Sequence, residues 1–181
     1  MSKAVVLTGV GRDRVGIVAE LTQALFDLGC NLLDSSMTLL RGEFALILMA
    51  ELPENVSIEK LEAGIGAIEK QLGMRVHVRQ VDADELEEPA ESNNAFIVSV
   101  YGADKPGIVA KITRALADAN INITDVQTKS TGSVHNKIFV MILEVGAPAK
   151  VSIGAVERTL QNIGKQLDVD IAVQALDVVE L

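Results

Sequence analysis

The chain has 181 residues, 49% of them hydrophobic, enough to bury a sizeable core, and its single cysteine, Cys30, excludes an internal disulfide and fits a reducing compartment. A net charge of −9, one Tyr, no Trp and no cluster of Lys or Arg argue against direct nucleic-acid binding, because phosphates are repelled and bases find no aromatic platform. No run approaches the roughly 18 apolar residues that span a membrane, and "MSKAVVLTGVGRDR" carries no small-residue cleavage site, so no signal peptide is expected.

In chain order, "AVVLTGV" (4–10) is a short apolar run rich in β-branched residues and reads as a buried strand. After the loop "GRDRVG" a helix is expected from about Val15, with Val18, Leu21, Leu25 and Leu28 on one face and Gly29 ending it. "NLLDSSMTLL" (31–40) and "EFALILMAEL" (43–52) read as a hairpin around Arg41-Gly42. A second helix follows Ser57, which is placed to cap it, with Ile58, Leu61, Ile65, Ile68 and Leu72 on one face. "MRVHVRQV" (74–81) alternates strictly and reads as a strand with one buried face. The segment 83–94, "ADELEEPAESNN", is polar and acidic and reads as a linker.

The pattern then repeats. "VGRDRVGIVAELTQALFDLGCNLLD" (10–34) returns as "YGADKPGIVAKITRALADANINITD" (101–125), 91 positions later. Beyond a longer hairpin in the second copy the offset becomes 95, and "IEKQLGMRVHV" matches "IGKQLDVDIAV". Each copy reads β-α-β-β-α-β. The expected fold class is therefore α+β, with two ferredoxin-like units in tandem, both helices on one face of each four-stranded antiparallel sheet. The expected division is 1–82, a linker at 83–94, and 95–181. The acids are unevenly shared: residues 1–91 carry −8 and residues 92–181 carry −1.

The loop after the first strand holds the same residues twice. Asp13 and Asp104 are placed to cap the following helix, and Pro106 is expected in the first turn of the second copy's helix. Gly11 and Gly102 are read as permitting a tight turn, Gly16 and Gly107 as permitting close approach of a backbone or a ligand. Asn31 and Asn122 open the next strand. Unpaired N–H groups at a helix start form a seat for a carboxylate. A small zwitterion could rest there with its ammonium on side-chain oxygens.

These residues resemble the ACT domain, a regulatory module that commonly binds amino acids, and the resemblance covers both copies. It implies that the loop residues and the strand-start Asn contact a ligand between two packed units. The site would comprise Gly11, Asp13, Gly16 and Asn31, with Gly102, Asp104, Gly107 and Asn122. Packing of the two copies by a pseudo-twofold would set Asp13 beside Asn122 and Asp104 beside Asn31; a homodimer would instead set Asp13 beside Asn31 of another chain. "GCNLLDSSMTLLRGEFALILM" is similar to the first domain of the glycine cleavage system transcriptional repressors, tandem ACT proteins thought to bind a DNA-binding activator rather than DNA. The resemblance implies a cytoplasmic, non-enzymatic sensor of a small amino acid, glycine or serine, acting through a protein partner, without direct contact to nucleic acid or membrane. The alternative is a constitutive interaction module with vestigial sites.

Other features offer less. "VHVRQVDADEL" (76–86) resembles the strand and Asp-x-Asp of dehalogenase-type phosphatases, but the chain runs on into its second copy without a catalytic domain. His77 is expected on the face opposite Val76 and Val78, and His135 in the longer hairpin. With Cys30 they make no metal-ligand spacing. Cys30 reads as a small apolar residue. Asp34 and Asp125 are equally well explained as exposed strand carboxylates. No catalytic constellation, cofactor motif or metal site is expected.

Overall fold

The computed structural model describes residues 3–81, 94–133 and 136–176. The chain divides into two compact units, Met1–Pro89 and Ala90–Leu181. In unit 1 the elements are β1 (Lys3–Arg12), α1 (Ile17–Asp27), β2 (Asn31–Leu40), β3 (Glu43–Leu52), α2 (Ile58–Leu72) and β4 (Met74–Val81). In unit 2 they are β5 (Asn94–Ala103), α3 (Ile108–Asp118), β6 (Asn122–Ser133), β7 (Asn136–Ala147), α4 (Ile153–Leu167) and β8 (Val169–Ala175). Both sheets are antiparallel and four-stranded, with orders β2-β3-β1-β4 and β6-β7-β5-β8. Each unit is thus a ferredoxin-like β-α-β-β-α-β layer pair. The expected linker falls outside the described residues except for Asn94, which already pairs with Ala147 in β5.

Each core lies between the sheet and its two helices. In unit 1, Val5 and Leu7 of β1 and Phe44, Leu46 and Leu48 of β3 face Leu21, Leu25, Leu61 and Ile65 of the helices. Period-2 and period-3.6 patterns meet here, as burial of one sheet face under one stripe per helix requires. Unit 2 repeats this with Val98, Val100, Met141 and Leu143 under Ile112, Leu116 and Leu160. Arg41 and Gly42 both take positive φ, 52° and 85°, so the first hairpin closes through a two-residue turn whose twist suits the strands. Ser57 caps α2 as expected, accepting the Lys60 N–H at 3.3 Å.

The structure departs from the sequence expectation at the first helix of each unit. Ile17, not Val18, enters the core; Val18 is 42% exposed. Spacings 17-21-25 and 18-21-25 satisfy the periodicity alike, so pattern alone does not choose between them. The choice is made by Gly16, which sits at φ 100° and turns the chain so that the helix starts at Ile17. Asp13 caps nothing: the N-cap is Gly16, and no side chain bonds the helix start. Unit 2 does the same with Gly107 at φ 94°, and Pro106 lies in the turn before the helix rather than within it.

The first helices end alike by different residues. The N–H of Gly29 bonds the Phe26 carbonyl and that of Cys30 bonds the Leu25 carbonyl. This 5→2 and 6→1 pair is the Schellman motif, with Gly29 left-handed at φ 76°. In unit 2 Asn120, at φ 56°, takes the glycine's place: its N–H bonds the Ala117 carbonyl and the Ile121 N–H bonds the Leu116 carbonyl.

Candidate functional site

The loop between β1 and α1 is held at three points. The Asp13 N–H donates to the Gly42 carbonyl at 2.9 Å, tying the loop to the hairpin turn. Arg12 pairs with Glu43 at 3.1 Å. Arg14 donates to the Gln71 carbonyl, at the end of α2, where a cation complements the helix dipole. Unit 2 uses the same plan. The Asp104 N–H donates to the Lys137 carbonyl at 3.0 Å, and Lys105 Nζ reaches the Leu167 carbonyl at 3.2 Å and Asp168 at 3.1 Å. Arg14 and Lys105 were not singled out from sequence, although a basic residue at one loop position in both copies was the signal.

The glycines divide differently from the expectation. Gly11 lies inside β1, opposite Met74, and a Cβ there would fall 2.6 Å from Met74 Cβ and 2.9 Å from its Cα. Gly102 stands in the same relation to Val169, 2.7 Å from Cγ1 and 2.9 Å from Cα. These two, expected to serve a tight turn, instead allow two strands to close. Gly16 and Gly107 meet nothing within 4 Å. They are required by their positive φ, and the space above them is open.

Within one unit the expected site residues do not converge. Gly11, Asp13 and Gly16 lie at the end of β1 where Arg12 faces Glu43. Asn31 faces Glu51, which faces Ala4 at the other end of the sheet. Ala4 and Arg12 are about 27 Å apart at 3.4 Å per residue. Asn122, opposite Gly146, is likewise remote from Asp104. A strand irregularity follows each Asn at the same place, between Leu32 and Asp34 and between Ile123 and Asp125. Asp13 is exposed; Asp104 is exposed too, but its carboxylate accepts the Ser130 hydroxyl at 2.7 Å. At the position of Ser130 unit 1 has Leu39, which cannot donate.

The remaining polar features are local. Asp34 accepts its neighbour Ser35 N–H at 2.6 Å, and Gln127 reaches Asp125 at 3.4 Å. His77 is exposed opposite Thr8; His135 lies outside the described residues. Cys30 is half-buried, and burial pushes its thiol above the usual range, away from the reactive thiolate. Among the described residues no three His, Cys, Asp or Glu side chains are grouped to hold a metal, and no helix is long and apolar enough to cross a membrane.

What the loops and sheets share with known proteins is clear from comparison. The family model for the ACT domain matches residues 3–79 and again 94–174. The chain belongs to the ACT domain family. A UPF0237 protein of Methanopyrus kandleri is 42% identical over 83 residues, which span 45% of this chain and 88% of that relative. That relative is therefore about one unit long. A crystal structure of a protein of unknown function from Galdieria sulphuraria superposes with a TM-score of 0.79 at 27% identity, covering 98% of this chain and 100% of its own. A structure provisionally described as a glycine cleavage system transcriptional repressor superposes at 0.72 and 19% identity, covering 98% and 99%. At that identity the likeness is one of fold: two ACT units in one chain.

Proposed function

We propose that this tandem ACT protein is a cytoplasmic, non-catalytic regulator that senses a small amino acid, glycine or serine, and passes its occupancy to a protein partner. One observation carries the reading. In both units the helix after the loop starts at a left-handed glycine without a side-chain cap, under open space. Such a start offers backbone N–H groups to a carboxylate. Asp13 or Asp104 beside it supplies an acceptor for an ammonium. The strand-start Asn of a second unit, Asn31 or Asn122, would complete the site, since its own unit holds it at the far end of the sheet.

Ligand bound between units favours the arrangement that binds it better, so a partner reads a shift of population. Calorimetric titration of glycine and of serine into the full chain tests this. Saturable binding weakened by Asp13→Ala, and as much by Asn122→Ala, supports the reading with pairing inside the chain. Weakening by Asn31→Ala instead supports pairing of like units across a dimer. Absence of any amino-acid binding leaves the constitutive interaction module, which the exposed apolar strand β2 favours.

A further inference from the structure

Unit 2 carries a cavity that unit 1 fills. Between α3 and α4 a space of about 170 Å³ opens, lined by Ala115, Ala119, Val151, Ala155 and by Ser152 and Thr159 among others. In unit 1 Leu28 stands at the position of Ala119 and Gly64 at that of Thr159. Leu28 packs against the unit 1 core, its Cδ1 3.5 Å from where a Cβ on Gly64 would lie. Lys60 likewise stands where Ala155 lines the space, so two larger side chains of unit 1 correspond to two alanines of unit 2.

The mouth differs in the same sense. In unit 1 Ser57 caps α2 and Glu59 occupies its first turn. The Glu59 carboxyl is held below its usual range by its own backbone N–H and by the Ser57 hydroxyl. In unit 2 Gly154 replaces Glu59, no acid lies in the first turn of α4, and Ser152 makes no cap bond with its side chain. Charges of both signs stand nearby: Lys150 adjoins Val151, the Arg158 guanidinium lies 3.8 Å from where a Cβ on Gly154 would be, Glu157 adjoins Val156 and Asp118 adjoins Ala119. Unit 1 thus supplies from its own chain an isobutyl group and a carboxylate, Leu28 and Glu59. Unit 2 has neither.

We propose that the α3–α4 cavity of unit 2 binds a short branched aliphatic carboxylate, its tail where unit 1 has Leu28 and its carboxylate where unit 1 has Glu59. The volume suits about six heavy atoms, since an engineered cavity of ~150 Å³ takes benzene.

The probe is 4-methylpentanoate, titrated into the full chain and followed by backbone amide resonances. Saturable shifts are expected at Ala115, Ala119 and Ala155 and not at their unit 1 counterparts Ala24, Leu28 and Lys60. Ala119→Leu restores the filler of unit 1 and is expected to weaken binding at least about tenfold without lowering the melting temperature. Should that variant not fold, Thr159→Leu blocks the same space from the other helix. Gly154→Glu is expected to weaken the acid while 4-methylpentanol still binds. No saturation at millimolar probe overturns the proposal, as does undiminished binding to either blocked variant. Shifts confined to the loops at Gly16 and Gly107 overturn it too, and would assign the probe to the amino-acid site instead.

Discussion

Strands β2 and β6 hold the same edge of the same fold, yet they face solvent differently. All ten residues of β2 are exposed, and Leu32, Leu33, Met37, Leu39 and Leu40 are among them. In β6 Val126 alone is an exposed large hydrophobic, amid Thr, Gln, Ser and Lys129. Backbone features were kept by both copies: the irregularity after the strand start, the left-handed glycine, the αL helix end. The surfaces diverged. A bare apolar edge without Lys or Pro is a pairing surface unless something covers it. Unit 1 thus exposes at β2 the kind of edge that pairs, whereas unit 2 blunts the same edge at β6 with Lys129 and polar residues.

The largest effect is expected there. Met37→Lys with Leu39→Lys should abolish strand association at β2 while leaving unit 1 folded. Hydrogen exchange of the β2 amides that point away from β3 should turn from slow to fast. Thr128→Lys, the counterpart of Met37 in β6, should change nothing. Fast exchange of those β2 amides in the unaltered chain would show that the edge is not paired.

Next come the glycines, which sharpen what the copies share. Gly11→Val and Gly102→Val force Cβ atoms against the Cα of Met74 or Val169 and should each cost about 3 kcal/mol or more in denaturant unfolding. Gly16→Val and Gly107→Val meet no neighbour and cost only their backbone strain, about 1–3 kcal/mol, and should also remove the amino-acid binding proposed above. Equal costs at all four would mean that close approach in β1 and β5 contributes nothing of its own. Leu28→Ala should then open in unit 1 the space unit 2 already has, at about 2 kcal/mol. Melting of the variant, with and without 4-methylpentanoate, checks both the cost and the equivalence.

Periodicity carried most of the fold. The Arg41-Gly42 hairpin, the Ser57 cap and the helix stripe Leu61, Ile65, Leu72 all stand where residue type and spacing placed them. The failures cluster around the loops after β1 and β5. There the deciding bonds run from Asp13 to Gly42 and from Asp104 to Lys137, tens of residues away, and a local pattern cannot register them. Capping chemistry suggested Asp13, but a glycine φ of 100° placed the helix start three residues later. The cavity in unit 2 was legible only in part. The repeat aligned Leu28 with Ala119, but whether neighbours collapse into a missing isobutyl group depends on packing, which the alignment does not carry.

The smallest effects concern the starts of α2 and α4. Ser57→Ala removes a bonded cap and should destabilise unit 1 by about 1 kcal/mol; Ser152→Ala removes a hydroxyl that caps nothing and should be near neutral. The comparison extends to pH. The carboxyl of Glu59 is depressed in the folded chain, by its own N–H first and by Ser57 second. Its contribution is therefore present above the ordinary glutamate range and is lost as pH falls through the folded value. Glu59→Gln should flatten the acid limb of unit 1's stability curve while leaving the neutral limb's slope unchanged. Unit 2, with Gly154 at that position, has no such contribution to lose. Denaturant melts of each unit, resolved by amide exchange from neutral pH down to below the ordinary glutamate range, should show unit 1 of the parent chain yielding sooner than unit 1 of the Gln variant relative to their neutral values. Parallel acid limbs would mean that the carboxylate at the start of α2 is as well off in the unfolded chain, and that the two helix starts differ only in the hydroxyl.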